Sequence, residues 1–460
     1  MARTIDWKQG LAIAIGVPLL ILPSIVYFAS YLWAFAIVVW GLSVLQGFMQ
    51  NLAYGELATT FPNASGLPGF AQSVFQSPDK TDGYDRGKLI GGFSAWSYWF
   101  AWNPVLAIYA ILISGSLRGL FPALAGIPEV VLSLIIGAVV FSALIGLNAR
   151  GLSTSAVLGY ILAVVSFIPL IIITLAPFVT GDFDASNITD SWLPPDWAWD
   201  GPHVLILLGV FAMAQWSACA WETAAIYGPE YKKPASDVPK ALFVCGAICL
   251  LTFVLVQTAV TGTLGIEALL DGTDDPMLTL ARITLGGTGG AIAIVMLIAA
   301  MILIIQTAYL GSARAMHSLA VEGNLPRVFG RLNGHGTPVV AMVVIGLFNL
   351  GLILLGTPTA ILAASAIGYV CANGISLFAY VRAKNAPHLA ALDRPFKAPA
   401  RWKGVALAFG LFNLPFCLVG VVYLNSLDVG WRSTWVGFVV LALYAPLWWY
   451  SQHESTREQA

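Results

Sequence analysis

The chain has 460 residues, 58% of them hydrophobic and only 10% charged, with a formal net charge of -1. A soluble globular domain is about half apolar and about a quarter charged, so this composition excludes a water-soluble fold and indicates an all-α, multi-pass membrane protein. No G-x-x-x-x-G-K-[ST] loop occurs, which argues against a pump carrying its own ATPase motor.

Apolar runs of roughly 20 residues, each long enough to cross about 30 Å of hydrocarbon as a helix, recur from Leu11 to the end. About twelve are read, centred near residues 20, 43, 104, 138, 168, 215, 251, 299, 347, 370, 415 and 443. Arg3 and Lys8 precede the first run as in a secretory signal, but it is too long and no small-residue cleavage site follows. That run carries Gly16, Pro18 and Pro23 within eight positions. Such residues unwind a helix, and freed backbone groups are tolerated at membrane depth only against protein or a watery cavity. In the third run Asn103 precedes Pro104 at an expected kink. The loop at 181–200, GDFDASNITDSWLPPDWAWD, is acidic, and its Trp192, Trp197 and Trp199 suit an interfacial belt.

A second break is expected in the sixth run, at Trp216-Ser217-Ala218-Cys219-Ala220-Trp221-Glu222, where small residues precede an intramembrane acid. Glu222 has no basic neighbour in sequence, so it is a candidate proton carrier or conformational latch, against an equal claim as a hydrogen-bonded structural acid. Glu56 sits at the inner end of the second run and is expected to cap or pair locally. Gln306 lies in the eighth run. Amides at such depth usually bond across helices, so Asn103 and Gln306 are only minor candidates for touching a substrate. Apart from Glu222 no ionisable residue reads as deep enough to recognise a charged side chain. The five cysteines fall in apolar runs without C-x-x-C spacing and read as reduced structural thiols. His203, His317, His335, His388 and His453 lack metal-ligand spacing, so no metal or cofactor is expected, nor a nucleic-acid partner.

With both termini placed in the cytoplasm, all of the 22 Lys and Arg except Arg118, Arg282 and Arg432 fall on the inner side. The positive-inside rule demands this asymmetry. Breaks in spans one and six imply two halves of five spans, the layout of inverted-repeat secondary transporters, whose half-helix ends offer partial charges to a substrate at the midplane. The repeats are expected at about 10–179 and 203–384, followed by two peripheral spans at about 404–451, all within one domain.

Five stretches also carry a family resemblance covering most of the chain. Residues 15–23, IGVPLLILP, resemble I-G-x-G-[IV]-F-x-L-P. The stretches YGELATTFPNASG (54–66), WSACAWETAAIYGPEYKKPASDVPKA (216–241), SARAMHSLAVEGNLPRVF (312–329) and RPFKAP (394–399) follow in order and on the expected side. Together they resemble the amino acid-polyamine-organocation (APC) superfamily of permeases. The resemblance implies no enzyme, but a 5+5 helical core with discontinuous helices 1 and 6 in the cell membrane. It implies a substrate carboxylate on N–H groups of Ile15, Gly16, Val17 and Leu19, with Pro18 in the same binding segment, and an ammonium on carbonyls of Ser217, Ala218, Cys219 and Ala220. Pro18 departs from the pattern: it has no N–H, so the carboxylate cradle loses a donor.

Trp216 matches the position where arginine/agmatine exchangers of this family place a gating aromatic. Proton-coupled relatives often keep a lysine in span five, where Ser166 aligns here. Ser166 with Ser312 could help ligate sodium, though a bond within the helix is the more ordinary role for each. The expected function is secondary active transport of a small, preferably apolar amino acid by alternating access. An organic amine or polyamine is the alternative substrate, a channel or sensor is the alternative from another class, and H+ and Na+ remain open as coupling ions.

Overall fold

A computed structural model describes residues 3–77, 85–271, 275–355 and 358–457. Lys80, which entered the reading of loop charge, lies outside the described residues, as does Asp274. Among the described residues there is no strand, only an isolated bridge between Ile5 and Tyr231. Nine helices are long and apolar enough to cross a membrane. A bent pair in span 6 makes up to ten among the described residues, and the shorter apolar helices Trp7–Leu20 and Val339–Leu354 stand where spans 1 and 9 are expected.

Span 1 is built in three pieces: helix Trp7–Ala14, a 3-10 turn at Val17–Leu20 and helix Ile21–Leu32. Asp6 starts it with a capping box, its carboxylate accepting from the Lys8 and Gln9 amides while the Gln9 side chain accepts from the Asp6 amide. The chain reverses at Trp33, whose φ of 50° no helix allows, into span 2 (Ala36–Thr60). A short helix, Gly66–Phe75, follows. Span 3 breaks between Arg86–Trp102 and Val105–Leu120 at Asn103-Pro104, as its sequence predicts. Spans 4 and 5 are Glu129–Asn148 and Leu152–Thr180.

Span 6 runs from Gly201 to Ser217, then restarts as Ala220–Thr223 and a 3-10 helix to Glu230, bent by 49°. Span 7 (Pro234–Leu270) and span 8 (Pro276–Val321) each bend at a glycine with positive φ, Gly265 and Gly286. Spans 9 and 10 are Val339–Leu355 and Pro358–Asn385. Span 11 joins Trp402–Leu411 to Leu418–Asp428 through a π-turn at Pro415, and span 12 joins Trp431–Ala442 to Tyr444–Arg457.

Packing partners exchange in a regular way between the two halves: span 2 lies on span 7, span 3 on span 10, and span 8 on span 5. The first and last described residues lie on one face, called here the terminal face. There the Thr4 and Ile5 amides donate to the Glu230 carbonyl, and Gln452 Nε2 donates to the Gly323 carbonyl. On the opposite, far face the loop after span 5 covers the reversal after span 1, since the Ala34 and Phe35 amides donate to the Ser191 and Trp192 carbonyls.

Candidate functional site

Both expected breaks exist, but as tightened turns rather than extended, unwound backbone. Gly16 keeps right-handed dihedrals (φ -59°, ψ -28°), because a 3-10 turn needs only a change of hydrogen-bond register. The consequence for the expected cradle is a correction. The Ile15 amide donates to the Leu11 carbonyl and the Leu19 amide to the Gly16 carbonyl, so these two are spoken for in this conformation. Pro18 has none to give, which leaves Gly16 and Val17 as the donors the cradle could use. At span 6, the Ala218 carbonyl accepts from Trp221 N–H, and that of Cys219 from the Glu222 and Thr223 amides. The Ala218 oxygen keeps a second lone pair, whereas that of Cys219 also accepts from Thr223 Oγ1 at 2.9 Å and has none to offer in this conformation.

Gly16 is set by a neighbour the sequence did not reveal. A Cβ there would lie 2.5 Å from Thr307 Oγ1 and 2.8 Å from the Leu303 carbonyl oxygen on span 8. Thr307 Oγ1 also donates to the Ile13 carbonyl, at 2.6 Å, occupying an acceptor that the end of the first helix leaves without an intrahelical partner.

Between the breaks and the far face lies a cavity of about 190 Å³. Its walls include Leu20, Ser24 and Tyr27 from span 1, Tyr109 from span 3, Met213, Trp216 and Ser217 from span 6, and Leu362 from span 10. Of the residues expected at the site, Trp216 and Ser217 line this cavity, whereas Ile15–Leu19 and Ala218–Ala220 lie beyond its inner end. The signal for the span 1 wall was in the sequence: Leu20, Ser24, Tyr27, Phe28 and Tyr31 share one face at helical spacing. Reading the motif alone fixed attention one turn too early. Trp216 stands at the inner end, where its indole N–H donates to the Ala101 carbonyl of span 3 at 3.3 Å.

Helix packing takes one end of each expected amide, leaving Asn103 Nδ2 and Gln306 Oε1 buried without a hydrogen-bond partner among the described residues, and the hydroxyls bond within their own helices. Asn103 accepts from Asn349 of span 9, and Gln306 donates to the Ser155 carbonyl of span 5. Neither lines the cavity. Ser166 and Ser312 each bond the carbonyl four residues back, to Leu162 and Ala308. Glu222 is fully buried, and its one hydrogen-bond donor among the described residues is the Tyr98 hydroxyl, 3.3 Å from both carboxylate oxygens.

Glu56 does not pair locally as expected. It accepts from Tyr380, Lys384 and Arg394 side chains and from the Ala398 amide, between 2.6 and 3.0 Å, because the end of span 10 and the loop after it both pack onto span 2. A buried fork was missed altogether: Arg314 of span 8 grips Glu230, the last residue of span 6, at 2.6 and 2.8 Å. All five cysteines are buried and free.

A family model described as amino acid permease matches residues 5–444. The chain belongs to this permease family. It is a transporter of the APC superfamily and not an enzyme. The permease is 23% identical over 418 residues to the arginine/ornithine antiporter ArcD2 of Lactococcus lactis, covering 86% of this chain and 78% of the relative. It is 26% identical to the uncharacterized amino acid permease YecA of Bacillus subtilis, with 82% and 85% covered. The polyamine transporter RMV1 of Arabidopsis thaliana is 24% identical, with 81% and 70% covered. The five motifs read from the sequence all lie within the matched region of the permease.

Proposed function

We propose that this permease carries an amino acid across the cell membrane by alternating access, with the substrate resting between the broken segments of spans 1 and 6 and the cavity above them. The observation that carries the reading is the meeting of two interrupted helices at the inner end of a cavity walled by spans 1, 3, 6 and 10. Among the described residues no Asp, Glu, Lys or Arg lines that cavity, so main-chain dipoles, the Trp216 ring and the hydroxyls of Ser24, Tyr27, Tyr109 and Ser217 are the groups available to a zwitterion. With the terminal face in the cytoplasm, the cavity opens toward the outside, and Arg314–Glu230 and the Glu56 cluster close the inner side. The relatives named as polyamine transporters and the donor missing at Pro18 favour an organic amine as the second reading.

The test is uptake into proteoliposomes of labelled amino acids beside labelled amines, with and without a pH or sodium gradient. Saturable uptake with counterflow supports a carrier, and flux linear in concentration would sink it. In the same assay Trp216→Ala is expected to raise KM by about 2- to 30-fold, the worth of an aromatic face against an ammonium, with Trp216→Phe between it and the wild type. Unchanged KM and counterflow would remove Trp216 as the gate.

Glu222 is the proposed coupling group, since its carboxylate lies beside the span 6 break with a phenol rather than a cation as partner. Glu222→Gln is expected to abolish the response of uptake to a pH gradient while exchange counterflow persists. A retained response would show that the proton travels elsewhere.

A further inference from the structure

The cavity wall leads to an acid outside the ten-span core. Tyr27 lines the cavity, and its hydroxyl donates to Asp428 Oδ2 at 2.6 Å. Tyr31, one turn further along span 1, donates to the other oxygen, Oδ1. Asp428 is the last residue of the helix Leu418–Asp428 in span 11, where the helix dipole adds negative rather than positive charge. None of the ion pairs among the described residues involves it. Each oxygen accepts one phenol, so half of the roughly four lone-pair sites of an ionised carboxylate stay open, and the side chain is only partly buried. This is an anion oriented by two phenols, left without a counter-charge, one side chain behind the wall of a substrate-sized cavity.

We propose that Asp428 is a specificity-determining residue that takes the second positive charge of a dibasic amino acid or a diamine. The inference rests on the transport reading above and names a substrate class for the same site. The α-ammonium or first amine lies at the span 6 carbonyls beside Trp216, and the aliphatic arm runs along the apolar wall toward the far face. Leu20 and Tyr27 are two helical turns apart, roughly 10 Å along the axis. The distal ammonium or guanidinium then takes a lone pair of the carboxylate, directly or by displacing the Tyr27 hydroxyl. Such a charge-assisted bond outweighs the neutral phenol it replaces. A neutral amino acid leaves Tyr27 in place and gains nothing from Asp428.

The experiment is counterflow in proteoliposomes of the full chain, with a labelled amino acid competed by unlabelled alanine, ornithine, arginine and putrescine. The wild type is expected to show dibasic inhibition constants below the neutral one. Asp428→Asn is expected to cut the neutral-to-dibasic ratio about tenfold or more, with Asp428→Glu restoring part of it. Tyr27→Phe, which removes the competing phenol, is expected to raise the ratio above wild type.

The ratio is insensitive to how much protein folds, so a general loss of activity cannot imitate the result. An Asp428→Asn ratio equal to wild type overturns the inference and leaves the Tyr27–Tyr31–Asp428 cluster a structural clamp. Wild-type counterflow with neutral amino acids and no dibasic preference overturns this inference alone. Wild-type vesicles with no saturable counterflow for any compound overturn the transport reading as well.

Discussion

Glu230→Ala is expected to destabilise the detergent-solubilised protein by about 3 to 5 kcal/mol, the cost of stripping one partner from a buried ion pair. Arg314 is 1% exposed, and its Nε and Nη2 reach the two Glu230 oxygens in a bidentate fork at 2.6 and 2.8 Å. Its Nη1 donates to the Leu310 carbonyl, and the guanidinium lies 5.1 Å from the centre of the Tyr227 ring. Alanine at 230 leaves that guanidinium desolvated beside one carbonyl and an aromatic face, which do not replace a carboxylate. The amides of Thr4 and Ile5 bind the Glu230 main-chain carbonyl, so the substitution spares them.

Thermal unfolding of Glu230→Ala, Arg314→Leu and the double variant separates the pair from its burial. The double variant is expected to be more stable than Glu230→Ala, because it leaves no charge uncompensated. A Glu230→Ala protein as stable as wild type would refute the account. The fork also ties the end of span 6 to span 8 at the terminal face.

Gly16→Ala is the second large effect, expected to cost about 1 to 3 kcal/mol in stability through overpacking and to depress transport with it. The added Cβ meets Thr307 Oγ1, which a rotamer change could move, and the Leu303 carbonyl, which only a displacement of span 8 could move. Removing the hydroxyl in Gly16→Ala/Thr307→Ala is therefore expected to recover part of the loss and not the whole. Full recovery would mean that the backbone approach does not matter. No loss in the single variant would mean that span 8 does not pack so closely.

Much of the molecule was legible in its sequence, for reasons that are local. Hydrocarbon leaves helices as the one spanning form for such apolar runs, so the spans follow from run length. Loop charge separated the two faces, and the Asn103-Pro104 kink and the breaks after Ala14 and Ser217 follow from residues that cannot continue an α-helix or are too small to stabilise one. The order of motifs at 15–23, 54–66, 216–241, 312–329 and 394–399 pointed to the family that the match over 5–444 shows.

The site was legible only in outline. Trp216 and Ser217 line the cavity, yet its span 1 wall begins at Leu20, just past the expected Ile15–Leu19 cradle. Asn103 and Gln306 are held by Asn349 and by the Ser155 carbonyl, partners more than a hundred residues away. Glu56 meets Lys384 and Arg394 for the same reason: a charge announces itself in sequence, whereas its counter-charge is chosen by which helices pack together.

By itself the sequence determined that this chain is an all-helical membrane protein, where its helices break, how its faces divide by charge and which family it belongs to. Each is a property of residues close together along the chain, set by backbone chemistry and transfer out of water. Only the tertiary structure decided which polar groups are already engaged, that Thr307 caps the span 1 break, that Arg314 and Glu230 form one fork, and that Asp428 stands behind the cavity wall. Those facts depend on contacts between segments far apart in sequence, and local patterns along the chain do not show the register in which its helices meet.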